Sequence, residues 1–464
     1  MIVMKFGGTS VEDATSIERV AEIIRARLSL KPVVVVSAMG KTTRKLLRAA
    51  TASAAGDTRT CASLVVDLKA RHKSETRRLS QDGSAIFSRL EEYFLELGKL
   101  LDGLAILGEV PPRGLDKILA YGELISSAIV AEALAARGIP ARLLDARELI
   151  KTDDCYGAAV PIFEITNQNL RTGIIPAIVQ NEVPVVQGFI GSTRSGATTT
   201  LGFEGSDYTA TIIGAALGAA DIQIWKDVSG LMTADPAVYH GARTVKKCSY
   251  SEAEALTFFG AKVLHPKAVR PAAQSNIPLH IYNSRQPDAT GTAISVEAPA
   301  CANFIKSIAF KQPVKVLHAN NGRNDGTGKA APEDLLLKLL GALARRRARP
   351  LLVALSASSA ALALDGDSLD ADRERDLLQE TSSFCSAGIE ADQAVVTLVG
   401  EGLCLHAGVE ALVFKSIEDI RPRMVLQGSS PHMMNLVLAE SQVAGVIARL
   451  HEVFFQDPDP EVFE

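Results

Sequence analysis

An α/β sandwich on a mainly parallel sheet, followed by a separate region of smaller modules, is the fold class this sequence predicts. Three observations predict it. Apolar strand patterns alternate with longer helical patterns over roughly the first 290 residues. Around Tyr282–Pro299 the composition turns to Pro, Asp, Gly and Thr, which marks a domain boundary. Beyond it, strand and helix patterns crowd together as in small βαββαβ modules.

Taken in order, Ile2–Phe6 is a short apolar strand, and Gly7-Gly8-Thr9-Ser10 turns the chain. Asp13–Leu28 follows as a helix with Ile17, Val20, Ile23, Ile24 and Leu28 on one face. Pro32 introduces Val33–Val36, a β-branched run suited to a buried parallel strand. Leu115–Arg137 reads as a long helix and Pro140–Leu144 as a strand. Val183–Phe189 is a further strand, and Gly191–Ser206 reads as a Gly/Ser/Thr loop. Tyr208–Leu217 resumes as a helix and Asp221–Trp225 as a strand.

In the second half, Val395–Val399, Val413–Ile417 and Asn435–Ala439 are expected strands, and Val443–Phe455 an expected helix. Asn320–Lys329 is polar and glycine-rich, a loop pattern, and the acidic tail Asp457–Glu464 is expected to fray. The apolar stretch Leu335–Leu364 is broken by Arg345, Arg346, Arg347 and Arg349, so a helix ending in cations and then a strand fit it better than a membrane span.

Composition narrows the function classes. The chain has 464 residues, 47% hydrophobic and 22% charged, with a formal net charge of -4. That is globular material for two or three domains without the basic footprint of a nucleic-acid protein. The six cysteines lie far apart with no CxxC or Cys/His cluster, so neither a zinc site nor a disulfide framework is indicated. Met1–Lys5 opens without a basic region leading into a long apolar one, so no signal peptide is expected and a cytoplasmic protein is.

Four segments carry chemistry. In Lys5-Phe6-Gly7-Gly8-Thr9-Ser10 a strand delivers a lysine to two glycines whose N–H groups can approach an anion, and the next helix adds its positive end. The same pattern also serves as a plain tight turn. It is not a Walker loop, because Val35 stands where Gly40-Lys41-Thr42 would need an earlier glycine. Thr198-Thr199-Thr200-Leu201-Gly202 and Gly205-Ser206-Asp207-Tyr208 form a glycine-rich entry to a helix, where Asp207 is either a functional acid or a cap. Trp225–Pro236 ends a strand in a turn with two acids, Asp227 and Asp235. In Phe259–Pro266, Lys262 is either a phosphate ligand or an exposed lysine, and His265 reads as structural.

Together these segments, with Ser37–Thr43, Tyr121-Gly122-Glu123 and Gln187–Gly191, resemble the aspartokinase family over essentially the whole chain. The resemblance implies an amino-acid kinase three-layer sandwich over residues 1–295, then tandem ferredoxin-like ACT modules over 305–464, the second at about 392–456. It implies ATP-dependent phosphorylation of L-aspartate to 4-phospho-L-aspartate. Lys5 would bridge the transferring phosphoryl group, and Gly7, Gly8 and Ser10 would cradle phosphates. Asp207 would orient the lysine and reacting groups. Lys226, Asp227, Met232, Asp235, Lys262 and Val263 would line the nucleotide site. Thr43, Glu123, Phe203, Glu204 and Ser206 fall at substrate positions, with Glu123 on the substrate ammonium.

A carboxylate acceptor is already a nucleophile, so positioning and charge cancellation carry such a reaction. Mg²⁺ would be held mainly by the phosphates, with no dedicated protein ligands. The resemblance further implies a homodimer or higher oligomer and a possible amino-acid effector at the ACT region, with no nucleic acid or membrane partner.

The chain departs from the family at telling places. The family's substrate arginine is Phe203 here, and Glu204 adds a negative charge beside it. Lys226 replaces a usual threonine, and Ala237 stands where a phosphate-side arginine is usual, so Lys226 could restore that charge from a nearby turn. Asp334–Leu337 replaces the family's entry to the first ACT helix, so lysine or threonine inhibition does not carry over. Two alternatives therefore stand: a kinase of another amino-acid-like carboxylate, or a non-catalytic nucleotide-binding homologue.

Overall fold

The computed structural model describes residues 1–80, 83–202, 204–260, 263–299, 301–321 and 331–464. Its contacts form two compact units, Met1–Leu231 with Val263–Glu297, and Met232–Lys262 with Ala298–Glu464. The Met232–Lys262 segment, assigned to the catalytic half, clusters with the second unit.

The first unit begins β1 (Ile2–Phe6), α1 (Ala14–Arg25), β2 (Pro32–Val36). Three helices, α2 (Thr42–Ala54), α3 (Thr58–Leu79) and α4 (Ser84–Leu107), then extend the alternation before the long α5 (Pro112–Ala136). Next come β3 (Ala141–Leu144), α6 (Ala146–Leu149), β4 (Lys151–Thr152), α7 (Phe163–Val179), β5 (Val183–Gln187), β6 (Ile190–Thr193), β7 (Thr198–Thr200), α8 (Gly205–Leu217) and β8 (Asp221–Lys226). Strands Leu279–Asn283 and Thr292–Ser295 complete this unit.

The main sheet runs β3-β5-β2-β1-β8 and on through the last two strands. Every pairing is parallel except that of Leu279–Asn283 with Thr292–Ser295. β1, β2 and β5 are buried at every residue, as a sheet covered on both faces requires. α5 is long and apolar enough to span a membrane, but most of it is buried inside this unit as a core helix. The expected loop over Gly191–Ser206 contains regular structure. Thr198–Thr200 is β-branched and pairs antiparallel with Ile190–Ser192.

The second unit holds a six-stranded antiparallel sheet. Its order is Pro350–Leu355, Ser359–Asp365, Ser307–Asn320, Ser386–Val399, Met433–Ala439, Met424–Gln427. The chain traces two βαββα runs whose first strands, each of 14 residues, pair with one another at the sheet centre. This is the tandem ACT arrangement. Helices Pro332–Arg345 and Ala371–Thr381 cover the first run through Leu335, Leu339, Leu343 and Leu377.

Two expectations fail here. Val413–Ile417 is not a strand but falls in the helix Val409–Ser416, which places Val409 and Val413 on one buried face. The tail does not fray: Val462 and Phe463 are buried, Lys246 N donates to Val462 O at 2.7 Å, and Glu464 N donates to Thr244 O at 3.0 Å. Its apolar pair outweighs its acidic composition. Of the glycine-rich loop, residues 322–330 lie outside the described residues.

Candidate active site

β1 and β8 run parallel in register, Lys5 opposite Ile224 and Phe6 opposite Trp225, so their carboxyl ends deliver Lys5, Gly7 and Lys226 to one edge. Gly7 N donates to Trp225 O at 2.9 Å, and Ser10 N to Gly7 O at 2.9 Å, which closes the turn. Gly8 must be glycine. A Cβ there would lie 2.8 Å from Ala38 O, and Gly40 N donates to Gly8 O at 2.8 Å, so two loops touch backbone to backbone. Ser10 Oγ lies 2.8 Å from Ser284 Oγ. The helix end behind the turn is not open, however. Asp13 caps α1 by accepting from Ser16 N at 2.8 Å.

Asp207 sits in the first turn of α8 but caps nothing with its side chain. Its Oδ1 lies 2.6 Å from Lys5 Nζ, its Oδ2 lies 2.9 Å from Lys226 Nζ, and Oδ2 also accepts from His265 N at 3.2 Å. Burial alone would push the Asp207 carboxyl up, and the two ammonium groups more than reverse that, holding it well below the usual carboxylate range. Burial draws Lys5 below its ordinary value, against the pull of Asp207. Asp207 is therefore ionised between two lysines.

Glu123, on α5, is buried, and burial pushes its carboxyl up to about 8. Oε1 accepts from Ala38 N at 3.2 Å, while Oε2 has no hydrogen-bond partner among the described residues. A buried carboxyl with a vacant oxygen is open to a further polar partner. Thr43 is half-buried in the first turn of α2, after the Ser37–Lys41 loop that crosses Gly8. Ser206 packs against Gly188, where a Cβ would come within 2.5 Å of the serine Cβ. Glu204 is exposed in the left-handed region at φ 61° and supplies no side-chain cap to α8.

Other predicted residues are less informative or lie elsewhere. Asp227 is exposed and Val263 half-buried. Met232 and Asp235 belong to the second unit, where Met232 O accepts from Ser307 Oγ at 2.6 Å and Asp235 Oδ1 closes its own turn on Ala237 N at 2.9 Å. Phe203 and Lys262 lie outside the described residues. His265 Nδ1 accepts from Lys267 N at 3.1 Å.

Sequence reasoning missed three residues. Ser284 joins Ser10 to the Lys226 carbonyl. The His265 main chain reaches Asp207. Asp116, buried on α5, accepts from Gly157 N, Thr200 N and Thr200 Oγ1 at 2.8–2.9 Å and so fixes the end of β7. An acid inside the apolar α5 pattern was the available signal for Asp116.

A separate cleft of about 620 Å³ lies in the second unit between Phe258, Leu352, Leu426 and Met433. Its lining is mostly apolar, with Glu254 and His432 as the titratable members, so it lacks the paired lysines that phosphate chemistry needs.

Comparison with known proteins agrees with this geometry. Residues 1–283 match the amino acid kinase family model, and residues 396–454 match an ACT domain model. Aspartokinase 1, chloroplastic, of Arabidopsis thaliana is 33% identical over 98% of this chain and 80% of its own length. Lysine-sensitive aspartokinase 3 of Escherichia coli is 31% identical over 98% of this chain and 99% of its own. The crystal structure of E. coli aspartokinase III with aspartate and ADP superposes with a TM-score of 0.88 at 30% identity, covering 98% of this chain and 100% of that one. The same enzyme with lysine and aspartate gives 0.77 at 29% identity, with 98% and 99% covered.

Proposed function

This chain belongs to the aspartokinase family and is an ATP-dependent kinase of the aspartate side-chain carboxylate, and we propose that Lys5, Asp207 and the Gly7–Gly8 turn carry the transfer. One observation supports this most: a buried carboxylate holding a lysine at 2.6 Å beside a glycine turn only a backbone can approach. Lys5 neutralises the oxygens of the transferring phosphoryl group while Asp207 fixes its position. Gly7, Gly8 and Ser10 present donors to the phosphates. Glu123 takes the substrate ammonium on its vacant oxygen, and Thr43 and Ser206 orient the acceptor. The acceptor carboxylate needs no base.

The cationic turn fits a triphosphate, and Mg²⁺, carried on the phosphate oxygens, would add charge cancellation there. The remaining nucleotide residues are Asp227, Met232, Asp235, Lys262 and Val263. A second copy of the chain is expected to pair through the second unit, whose outer strands expose Leu355 and Val425. An amino-acid effector would bind that unit, and the protein would work in the cytoplasm, free of membranes.

The test is acyl-phosphate trapping with hydroxylamine, ATP, Mg²⁺ and a panel of amino acids. Aspartate should be the acceptor. Turnover of another carboxylate in its place would favour the altered-substrate reading that Phe203, in place of the family's substrate arginine, raises. No turnover with any acceptor would leave a nucleotide-binding homologue.

A further inference from the structure

Two lysines share one buried carboxylate. Lys5 and Lys226 both sit on Asp207, at 2.6 and 2.9 Å, and the side chain of Asp207 has no exposure at all. The stem of Lys226 runs beside the Gly7 turn: a Cβ on Gly7 would lie 3.8 Å from Lys226 Cγ and 3.9 Å from Lys5 Nζ. Both lysines thus flank the same glycine turn. The backbone of Lys226 is tied to that turn as well, since its carbonyl accepts from Ser284 N at 2.7 Å and Ser284 Oγ at 3.0 Å, and Ser284 meets Ser10. The two side chains differ in enclosure, Lys226 being 13% exposed and Lys5 5%.

We propose that Lys226 is a second catalytic lysine, held on Asp207 in the free enzyme and turned onto the nucleotide phosphates when ATP binds. The proposal rests on the kinase reading and adds a group to it. Departure of Lys226 leaves Asp207 still paired, with Lys5 on Oδ1 and the His265 N–H on Oδ2 at 3.2 Å. No bare buried carboxylate results. The four-carbon stem has the freedom for such a turn, and its ammonium needs no fixed orientation to meet a phosphate oxygen.

The test compares Lys226→Met and Lys226→Arg in the full chain. Calorimetric titration with ADP reads the nucleotide site without an acceptor. Loss of a charge-assisted contact should weaken ADP about ten- to a hundredfold in the methionine variant. It should lower kcat and leave the acceptor KM unchanged, and arginine should recover most of the nucleotide affinity. A purely structural lysine would lower the melting temperature of Lys226→Met without touching ADP affinity, and that result overturns the proposal. So does a loss confined to the acceptor KM. If Lys226→Met fails to fold, a Lys226→Arg variant that folds but binds ADP no better than a Lys5→Ala control overturns it too. If the parent phosphorylates no amino acid while ADP still weakens in Lys226→Met, the kinase reading falls and Lys226 keeps its phosphate role.

Discussion

Each unit buries a lysine against a carboxylate, and the two pairs are built for different ends. In the first unit Lys5 lies 2.6 Å from Asp207, and a second lysine shares the carboxylate. In the second unit Lys306 lies 2.9 Å from Glu252, with both side chains fully enclosed. Glu252 also closes a capping box by accepting from Ser249 N at 2.7 Å at the start of helix Tyr250–Phe258. That pair is neutral and committed to the backbone. The Asp207 cluster holds two lysines on one carboxylate and has a glycine turn beside it. A shared carboxylate next to an approachable backbone, more than burial or distance, is what the brace lacks.

The contrast can be broken by single changes. Lys306→Met should have the largest effect, because it leaves the buried Glu252 without its cation. About 3–5 kcal/mol of stability should vanish, read as a lower urea midpoint, with normal turnover in whatever remains folded. An unmoved midpoint would remove the brace assignment. Lys5→Ala should do the opposite. Turnover should fall by ~10²–10³, while the midpoint moves little because Lys226 still neutralises Asp207. If this variant unfolds as readily as Lys306→Met, the two pairs are not different in kind.

Glu123 sharpens the picture through pH. Its folded carboxyl stands at about 8 against an ordinary 4.5, so the ligand-free protein holds a proton that the unfolded chain has released across that window. Stability of the free enzyme should therefore fall as pH rises from the lower value to the upper. An ammonium substrate needs the ionised form. Acceptor affinity should rise with pH up to about 8, by up to roughly tenfold per unit, with one proton released on binding. An unchanged profile in Glu123→Gln would take the ammonium away from this residue. Ser10→Ala is the smallest change, removing a contact worth ~0.5–1.5 kcal/mol. The ATP KM should rise less than tenfold, and the acceptor KM should hold.

Much of the first unit could be read in the sequence because burial on both faces leaves unbroken runs such as Val33–Val36, and period-2 or period-3.6 patterns survive locally. The glycine turn is equally visible, since Lys5, Gly7 and Gly8 fall within four consecutive residues. What escaped depends on distant partners. Lys226 and Asp207 meet only because a strand end and a helix start converge. Val413 and Ile417 have strand propensity, yet packing on one face makes their segment helical. Thr198–Thr200 looked like loop until Ile190–Ser192 supplied a pairing edge.

The anchored tail has a consequence in time. Lys246 Nζ is bonded to Pro460 O, 214 positions downstream, and Val245 bridges to Phe463. A ribosome adding ~5–20 residues per second needs about ten to forty seconds to cover that distance. Throughout it, the stretch after Met232 waits without its final partners while β1 to β8 can already assemble. Nascent chains stalled before residue 460 should therefore show a protease-resistant leading half and a cleavable Thr244–Lys246 segment, and a chaperone that shields extended strands would have that interval in which to act.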